Sequence, residues 1–416
     1  MLDIKFIRGN QKLVEEKSKQ KGYVPNVKKL LDVDDLRRRL IEEVDKLRSN
    51  RKKAADARDE KQGAKIKGEL RTKEDKLEKL NEEFYQLIRE VPNLPKDDVP
   101  VGRDETENRI EREAGKKPKF DFKVKDHLEL GVGLDLIDVD SASKVSGPRF
   151  SYLKNELVQL ELALVNFSLN TLIGENFIPV IPPVIINKSA AEGLGYPEYE
   201  TGEGYRVDDQ YLVGTSEHSI VPMHMDQTFK DSDLPKRYVA FSTAFRREAG
   251  SYGKDTRGIF RVHQFDKVEM VSFVLPRDED KEHEYLLSLE EKIVKDLGLA
   301  YRVVKMCTGD LGFPTARKYD IEIWMPSQGK YRETHSASTN GDFQARRLNI
   351  KYLSRRKADQ VKDQKDFVCI LNATAIAVGR TIIAIMENYQ QKDGSILIPK
   401  VLQKYTGFTR IPREQG

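Results

Sequence analysis

Apolar residues recur at heptad spacing near the start of the chain. Such a repeat is typical of one helix of a coiled coil. An earlier stripe predicts a partner helix, so we expect two antiparallel helices, 34–62 and 64–91, that reverse near Gly63 and are each about 40 Å long. The later repeat is Ile66, Leu70, Lys73, Leu77, Leu80, Phe84, Leu87 and Val91, and the earlier stripe is Leu36, Leu40, Val44 and Leu47.

Beyond about residue 105 the pattern changes to shorter, alternating elements. Residues 151–172 carry leucines at helical spacing and predict an amphipathic helix. The next segment, 174–186, is strand-like but interrupted by prolines, which are confined to the edges or irregular ends of sheets. We therefore predict that this helix and strand lie at a sheet edge, at a boundary between subunits.

Two further strands are predicted at 236–244 and 258–265, joined by a loop with glycines at 250, 253 and 258. Side chains two or four apart on a strand share a face. We therefore expect Arg246 and Glu248 to point together, and likewise Arg261, Phe265 and Glu269. Arginines, carboxylates and an aromatic ring on one sheet surface suit a nucleotide phosphate, a purine and an ammonium group.

The runs 245–248 and 258–265 together resemble motif 2 of the class II aminoacyl-tRNA synthetases. Their order of residues is similar to that of bacterial-type seryl-tRNA synthetases. Motif 1 then corresponds to about 151–186, motif 2 to about 237–270 and motif 3 to about 371–389. A charged surface hairpin is the plain alternative for motif 2. The resemblance implies an α+β fold, in which helices flank an antiparallel sheet, and a homodimer.

The same resemblance implies a domain division and a reaction. Residues 1–100 would form a tRNA-binding domain with a coiled-coil arm at about 34–91, and 101–416 the catalytic domain. The enzyme would activate L-serine with ATP to seryl-adenylate and pyrophosphate, then transfer serine to tRNA(Ser), with tRNA(Sec) as a further acceptor. Two alternatives remain: a paralogue that loads an amino acid onto a carrier protein, and a non-catalytic tRNA-binding protein.

For ATP, the resemblance implies that Arg246 contacts the α-phosphate, Glu248 the adenine amino group and Arg380 the γ-phosphate. Arg246 and Arg380 are the catalytic candidates, because the planar guanidinium fork holds phosphate oxygens bidentately. Arg380 would also cover the adenine opposite Phe265. Without the resemblance, Phe265 is more typical of ordinary core, and Arg380 is as well explained by pairing with a structural carboxylate as by binding a phosphate. The full ATP-binding set is Arg246, Arg247, Glu248, Val262, Phe265, Glu333, Thr334, His335, Ser336 and Arg380.

Glu333 and Ser336 are the predicted metal ligands, since Mg²⁺ prefers oxygen donors and substrate phosphates. Thr334-His335 departs from the family's usual wording, and a histidine at this place leaves zinc as an alternative. The order of residues in the segment 342–347 is distinctive, and we expect these residues to support the structure as much as they contact substrate.

For serine, the resemblance implies that Glu269 holds the ammonium group, while other polar side chains surround the rest of the molecule. Thr215-Ser216-Glu217 alone is also a helix N-cap signature. Thr374 keeps a hydroxyl for the substrate, although Ala373 and Ala375 replace the family's usual glycines. The full serine-binding set is Thr215, Ser216, Glu217, Arg246, Glu269, Asn372 and Thr374.

Basic residues outnumber acidic ones nine to three between 46 and 67, near the predicted tip of the arm. A solvated coiled-coil face would explain them, but a projecting basic rod can also follow a phosphate backbone. The resemblance implies that the arm grips a tRNA with a long variable arm, although its helices are a turn or more shorter than is usual in the family. The basic group is Arg48, Arg51, Lys52, Lys53 and Arg58.

Composition narrows the class of protein further. Charged residues make up 34% of the chain but the net charge is only +4, so nucleic-acid contacts depend on local patches. Cys307 and Cys369 lack metal or redox spacing and are expected to be reduced. We expect no signal peptide, no membrane-spanning run and a cytoplasmic location.

Overall fold

The computed structural model describes residues 1–196, 204–248, 255, 257–354 and 364–412. The chain divides into two compact units, Met1–Leu94 and Pro95–Gly416. The predicted glycines 250 and 253 lie outside the described residues. The helices of the first unit are α1 (Ile4–Gly9), α2 (Gln11–Gln20), α3 (Val27–Asp56) and α4 (Glu60–Arg89).

The long helices α3 and α4 form the expected antiparallel hairpin. The chain reverses at residues 57–59, however, and the prediction of a tip at Gly63 was wrong. The Asp59 side chain accepts a hydrogen bond from the Gln62 backbone and caps α4, while Arg58 adopts a positive φ of 53°. An N-cap carboxylate is a stronger start signal than a glycine, and the first turn of α4 tolerates Gly63.

The seam of the hairpin follows most of the predicted heptads. Leu40, Val44 and Leu70 are buried, but Leu36 is 52% exposed and does not belong to the seam. Val33, seven residues before Leu40, is buried in its place. The polar heptad position, Lys73, forms an ion pair with Glu43 of α3.

The second unit is built around a mixed sheet. Its helices are α5 (His127–Gly133), α6 (Val139–Ser146), α7 (Glu156–Gly174), α8 (Lys188–Leu194), α9 (Glu217–Ile220), α10 (Glu279–Asp296), α11 (Phe343–Leu348), α12 (Val378–Asn388) and α13 (Gln403–Thr406). Its strands are β1 (Arg109–Ala114), β2 (Ile137–Asp138), β3 (Tyr152–Leu153), β4 (Ile178–Val180), β5 (Ile185–Asn187), β6 (Arg206–Val207), β7 (Gln210–Leu212), β8 (Thr228–Lys230), β9 (Lys236–Phe245), β10 (Gln264–Val274), β11 (Tyr301–Lys305), β12 (Arg317–Met325), β13 (Lys330–Thr339), β14 (Lys351–Ser354), β15 (Gln364–Phe367), β16 (Cys369–Ala377), β17 (Ile396–Leu397) and β18 (Arg410–Ile411).

Among the described residues, eight strands form the main sheet in the order β1-β11-β12-β13-β16-β10-β9-β4. Its pairs are antiparallel, except that β4 runs parallel to β9. The proline-interrupted strand β4 lies at the edge of the sheet, as predicted. Smaller sheets combine β15-β14-β8 and β5-β7-β6. The antiparallel-dominated sheet with flanking helices confirms the α+β fold class.

Helix α7 begins at Glu156 rather than 151, because Tyr152–Leu153 pairs with β2 as a short strand. Among the described helices, α7 is long and apolar enough to cross a membrane by length and composition, so the expectation of no such run was wrong. In the structure, Leu157, Leu160 and Leu164 of α7 are fully buried in the largest core cluster, with residues of the sheet, α10 and α12.

The second motif 2 strand begins later than predicted. Residues 258–263 form bends, and β10 starts only at Gln264. Gly258 has a positive φ of 76°, and a Cβ there would lie 2.1 Å from Nε2 of His127, so the backbone must turn at this point. Arg246, Glu248 and Arg261 therefore lie beyond the strand ends, and the strand-face argument for them was wrong.

Candidate active site

A cavity in the second unit opens over the middle of the main sheet. It is lined by the ends of β9 and β10, the bends at 258–263, strand β13 and the start of α12. Most of the predicted nucleotide residues meet here, although they come from four separated stretches of chain. The predicted residues that line it are Arg246, Glu248, Val262, Phe265, Glu333, Thr334, His335, Ser336, Thr374 and Arg380.

Arg246 is held in place by the backbone around it. Its Nε–H donates to the Gly214 carbonyl at 3.1 Å, and the Gly214 N–H donates to Nδ1 of His218 at 3.2 Å. Burial lowers the pKa of His218 well below its usual value, so this imidazole accepts as the neutral base. The Arg246 guanidinium lies 5.3 Å from the centre of the Phe265 ring. The guanidinium group of Arg246 therefore lies beside the ring of Phe265 in a fixed orientation.

Glu248 and Arg261 come together across the loop rather than along a strand. Arg261 Nη1 lies 2.7 Å from Glu248 Oε2, and Glu248 has a positive φ of 53°. Arg247 does not line the cavity, because its guanidinium lies 5.1 Å from the Tyr205 ring centre. A nucleotide role for Arg247 stays a prediction.

Arg380, in the first turn of α12, points back over the sheet. Its guanidinium lies 4.8 Å from the ring centre of Phe260, and Nη1 lies 3.2 Å from Glu333 Oε2. Arg332 covers the same ring at 3.9 Å. The guanidinium of Arg380 thus contacts Phe260 rather than Phe265, and its position over an adenine stays a prediction.

The carboxylate of Glu333 faces several cations around the cavity. Burial would raise its pKa, but Arg380, Lys318 and Arg246 together lower that pKa to about 2. Glu333 therefore remains ionised across the physiological range, as a hard oxygen ligand must.

The donors around Glu333 fit Mg²⁺ better than zinc. Glu333 and Ser336 offer a carboxylate and a hydroxyl, and the remaining positions suit waters and phosphates. His335 is 1% exposed, its Nδ1 lies 2.7 Å from the Thr334 hydroxyl, and burial lowers its pKa to about 4. Within the described residues no cluster of three His, Cys, Asp or Glu side chains could hold a metal, so a closed zinc cage has no donors there.

A second group of polar side chains continues from the cavity through Lys267 and Thr374. Lys267 Nζ lies 2.7 Å from Glu269 Oε2, and both side chains are buried. The Thr374 hydroxyl donates to the same oxygen at 3.3 Å. Burial lowers the pKa of Lys267, while Glu269 counteracts this. Lys267 was not predicted from the sequence, although it lies two residues from both Phe265 and Glu269 on β10, a spacing that was a signal.

The predicted run 215–217 starts the short helix α9. Thr215 Oγ1 accepts from the Glu217 backbone at 3.4 Å, whereas Ser216, at the N-cap position, makes no side-chain cap bond. Glu217 is 2% exposed and receives hydrogen bonds from Tyr196 and Gln344. Asn372, in β16, is 7% exposed and does not line the cavity. The serine-binding roles of these residues stay predictions.

Comparison with known proteins agrees with this geometry. The family model described as tRNA synthetase class II core domain (G, H, P, S and T) matches residues 202–389, and that of the seryl-tRNA synthetase N-terminal domain matches residues 1–95. Fold, cavity and family matches together define a class II aminoacyl-tRNA synthetase.

Full-length relatives narrow the class to one family. Serine–tRNA ligase of Thermodesulfovibrio yellowstonii is 40% identical over 99% of this chain and 100% of its own length, and that of Caldicellulosiruptor saccharolyticus is 41% identical over 98% and 99%. The crystal structure of seryl-tRNA synthetase from Pyrococcus horikoshii complexed with ATP superposes with a TM-score of 0.91 at 40% identity, covering 100% of both chains. The chain belongs to the seryl-tRNA synthetase family.

Proposed function

We propose that this protein is a serine–tRNA ligase. It activates L-serine with ATP to seryl-adenylate and pyrophosphate, and then transfers serine to the 3′ end of tRNA. The observation that carries the proposal is that two groups of side chains adjoin each other. Arg246, Glu333 and Arg380 surround one cavity. The buried polar cluster adjoins this cavity at Lys267 and Thr374. Full-length relatives named serine–tRNA ligase support the same activity.

In the first step a carboxylate oxygen of serine attacks the α-phosphorus of ATP. A new P–O bond forms, the bond to the bridging oxygen breaks, and pyrophosphate leaves with its electron pair. Arg246 pairs with the α-phosphate and the serine carboxylate, so that two anions meet in line. Arg380 neutralises the departing phosphates. Mg²⁺, held by Glu333 and Ser336, supplies further positive charge for these phosphates when it is bound.

The adenine lies against Phe265, with the Val262 backbone beside it and Glu248 accepting from its amino group. Stacking of a base on an aromatic ring contributes roughly 1–3 kcal/mol to binding. The Arg261–Glu248 ion pair of 2.7 Å supports this role, because it orients the Glu248 carboxylate before the nucleotide arrives.

The serine molecule occupies the adjoining cluster. Glu269 and Glu217 accept from its ammonium group, and Thr374 meets its hydroxyl. A site with buried groups that require a hydroxyl rejects an amino acid lacking it by roughly 10⁴–10⁵. Alanine is therefore excluded by unpaired polar groups, and threonine by the limited space.

The remaining parts of the chain serve tRNA and assembly. The N-terminal domain, about residues 1–100, binds tRNA through its arm and selects a long variable arm. Two copies form a homodimer through the motif 1 elements α7 and β4. Both cysteines are free and buried, which supports a reducing compartment such as the cytoplasm.

The test is serine-dependent ATP–pyrophosphate exchange by the purified protein and by Arg246→Ala. We expect the exchange rate of the variant to fall by about 10²–10³-fold or more, because one preorganised donor at the reacting phosphate is lost. The matched control is Arg277→Ala, whose guanidinium side chain is 71% exposed, and it should exchange normally.

Undiminished exchange by Arg246→Ala would overturn the assignment of the phosphate-binding residue. Exchange with another amino acid but not with serine, by the unaltered protein, would overturn the proposed substrate.

A further inference from the structure

The distinctive segment 342–347 has no part in the nucleotide cavity, yet one of its residues reaches the amino-acid cluster. Gln344, in the first turn of α11, is 0% exposed, and its Nε2–H donates to Glu217 Oε1 at 2.9 Å. Its neighbours are engaged elsewhere: Arg346 pairs with Asp342 at 2.7 Å, and Arg347 donates to the Glu192 carbonyl. Gln344 thus links α11 to a carboxylate of the short helix α9.

A second donor converges on the same carboxylate. The Tyr196 hydroxyl lies 2.9 Å from Oε1 and 3.0 Å from Oε2 of Glu217, and its ring packs 4.7 Å from the His218 ring. A carboxylate has about four acceptor positions, so both donors leave room on Oε2 for another N–H group. The donors come from outside α9 and fix the plane of the carboxylate.

The charges around Glu217 make these donors necessary. Burial raises the pKa of Glu217 to about 7, and the nearby carboxylate of Glu269 contributes to that rise, whereas Gln344, Tyr196 and Lys267 lower it. A buried carboxyl with this pKa is close to losing its charge at physiological pH. A protonated Glu217 would no longer serve as a pure acceptor for an ammonium group.

We infer that Gln344 and Tyr196 are positioning residues of the amino-acid site, which hold Glu217 as an oriented acceptor for the ammonium group of serine. This inference rests on the proposed function and assigns a role to the segment 342–347. Gln344 touches neither substrate. It acts through Glu217, a side chain that is only 2% exposed, which Gln344 aligns and helps to keep ionised.

The test compares Gln344→Met, which keeps the shape but removes the donor, with the unaltered enzyme between pH 6.5 and 9. Loss of the donor raises the pKa of Glu217 further, so the charged form is scarcer at pH 7. We expect the KM for serine in pyrophosphate exchange to rise roughly tenfold at pH 7, the effect of one hydrogen bond to a charged group. The KM for ATP should stay unchanged, and the defect should shrink toward pH 9 as Glu217 ionises.

Tyr196→Phe removes the other donor without changing the packing against His218. It should shift the serine KM in the same direction, and it replaces Gln344→Met if that variant does not fold. Arg346→Lys is the control, because this side chain lies in the same helix but pairs with Asp342, and it should keep the normal serine KM.

The outcomes separate this inference from the proposed function. A serine KM that is unchanged in both variants, or raised equally at every pH, would overturn the positioning role while exchange by the parent enzyme still stands. Absence of serine-dependent exchange in the parent enzyme would overturn the proposed function itself.

Discussion

Glu290 is a buried carboxyl behind the main sheet. It lies in α10, a helix that packs against β16, and is 0% exposed. Burial raises its pKa well above the usual value, and the charges of Glu269 and Asp320 contribute to that rise. Glu290 therefore carries a proton in the folded protein at a pH where the unfolded chain has lost it. The proton is therefore part of the native structure near Glu269.

This proton makes stability depend on pH. Because the folded-state pKa of Glu290 lies above the unfolded one, its contribution is full below the unfolded pKa and declines as pH rises toward the folded pKa. A glutamine side chain at this position would keep the shape without an ionisable proton. We expect the melting temperature of Glu290→Gln, measured by calorimetry, to exceed that of the parent by more at pH 8.5 than at pH 5.5. An equal difference at both pH values would contradict a protonated Glu290.

At the level of residues, the sequence identified the groups with chemistry of their own. Arg246, Glu248, Phe265 and Arg380 line one cavity as expected. The segment that contains Gln344 was distinctive, but the role of this residue was not predicted, because the role of a glutamine depends on the group that it meets. That carboxylate lies 127 residues away in sequence, and no local pattern encodes such a contact.

Among the elements, the arm is where the contacts of basic side chains differ most clearly from one end to the other. Near its base Arg37 lies 4.2 Å from the ring centre of Phe84, and midway Arg48 pairs with Glu74 at 2.8 Å. At the tip, Arg51, Arg58 and Lys67 line a groove together with Asp59, Glu60 and several small residues. Three cations thus converge at the tip, whereas Arg48 is paired within the arm.

We therefore expect the tip arginines to contribute more to tRNA binding than Arg48. The double variant Arg51→Ala/Arg58→Ala should weaken tRNA binding several-fold and lower the slope of log affinity against log salt by about 1 per lost contact. Filter binding at several salt concentrations measures both quantities.

The matched control is Arg38→Ala/Arg39→Ala, a pair of arginines nearer the base of α3. It should keep the affinity of the parent. All proteins should show normal pyrophosphate exchange, and equal losses in the two double variants would contradict a special role of the tip.

The boundaries of elements were predicted less well than their existence. The hairpin, the edge strand β4 and strand β9 follow from apolar periodicity and proline placement. The turn at 57–59 depends on the Asp59 cap, which competes with Gly63 as a signal. The bends at 258–263 depend on the contact between Gly258 and His127, which joins distant segments. Periodicity cannot report such a contact.

For the whole molecule, the apolar surface beside motif 1 is the feature that concerns assembly. Leu162 on the outer side of α7 is 54% exposed, Ile173 at its end is 45% exposed, and Ile181 after β4 is 83% exposed. Apolar side chains concentrated at one sheet edge are typical of surfaces that another protein covers. This distribution supports the proposed homodimer.

We expect Leu162→Asp to shift the molar mass, measured by light scattering after gel filtration, from that of a dimer to that of a single chain. A charge placed in an apolar interface has no partner and opposes association. Val24→Asp, at a position that is 90% exposed in the first unit, should remain dimeric. A monomeric parent protein would refute the homodimer outright.

The parallel pairing of β4 with β9 connects the proposed interface with the candidate active site. The pair meets at Tyr238, Val239 and Ala240, and β9 ends at Phe245, directly before Arg246. Misplacing a reacting group by about 1 Å can slow a reaction about 10²-fold. In the proposed homodimer, contacts made at β4 would therefore also steady β9 and, through it, the position of Arg246.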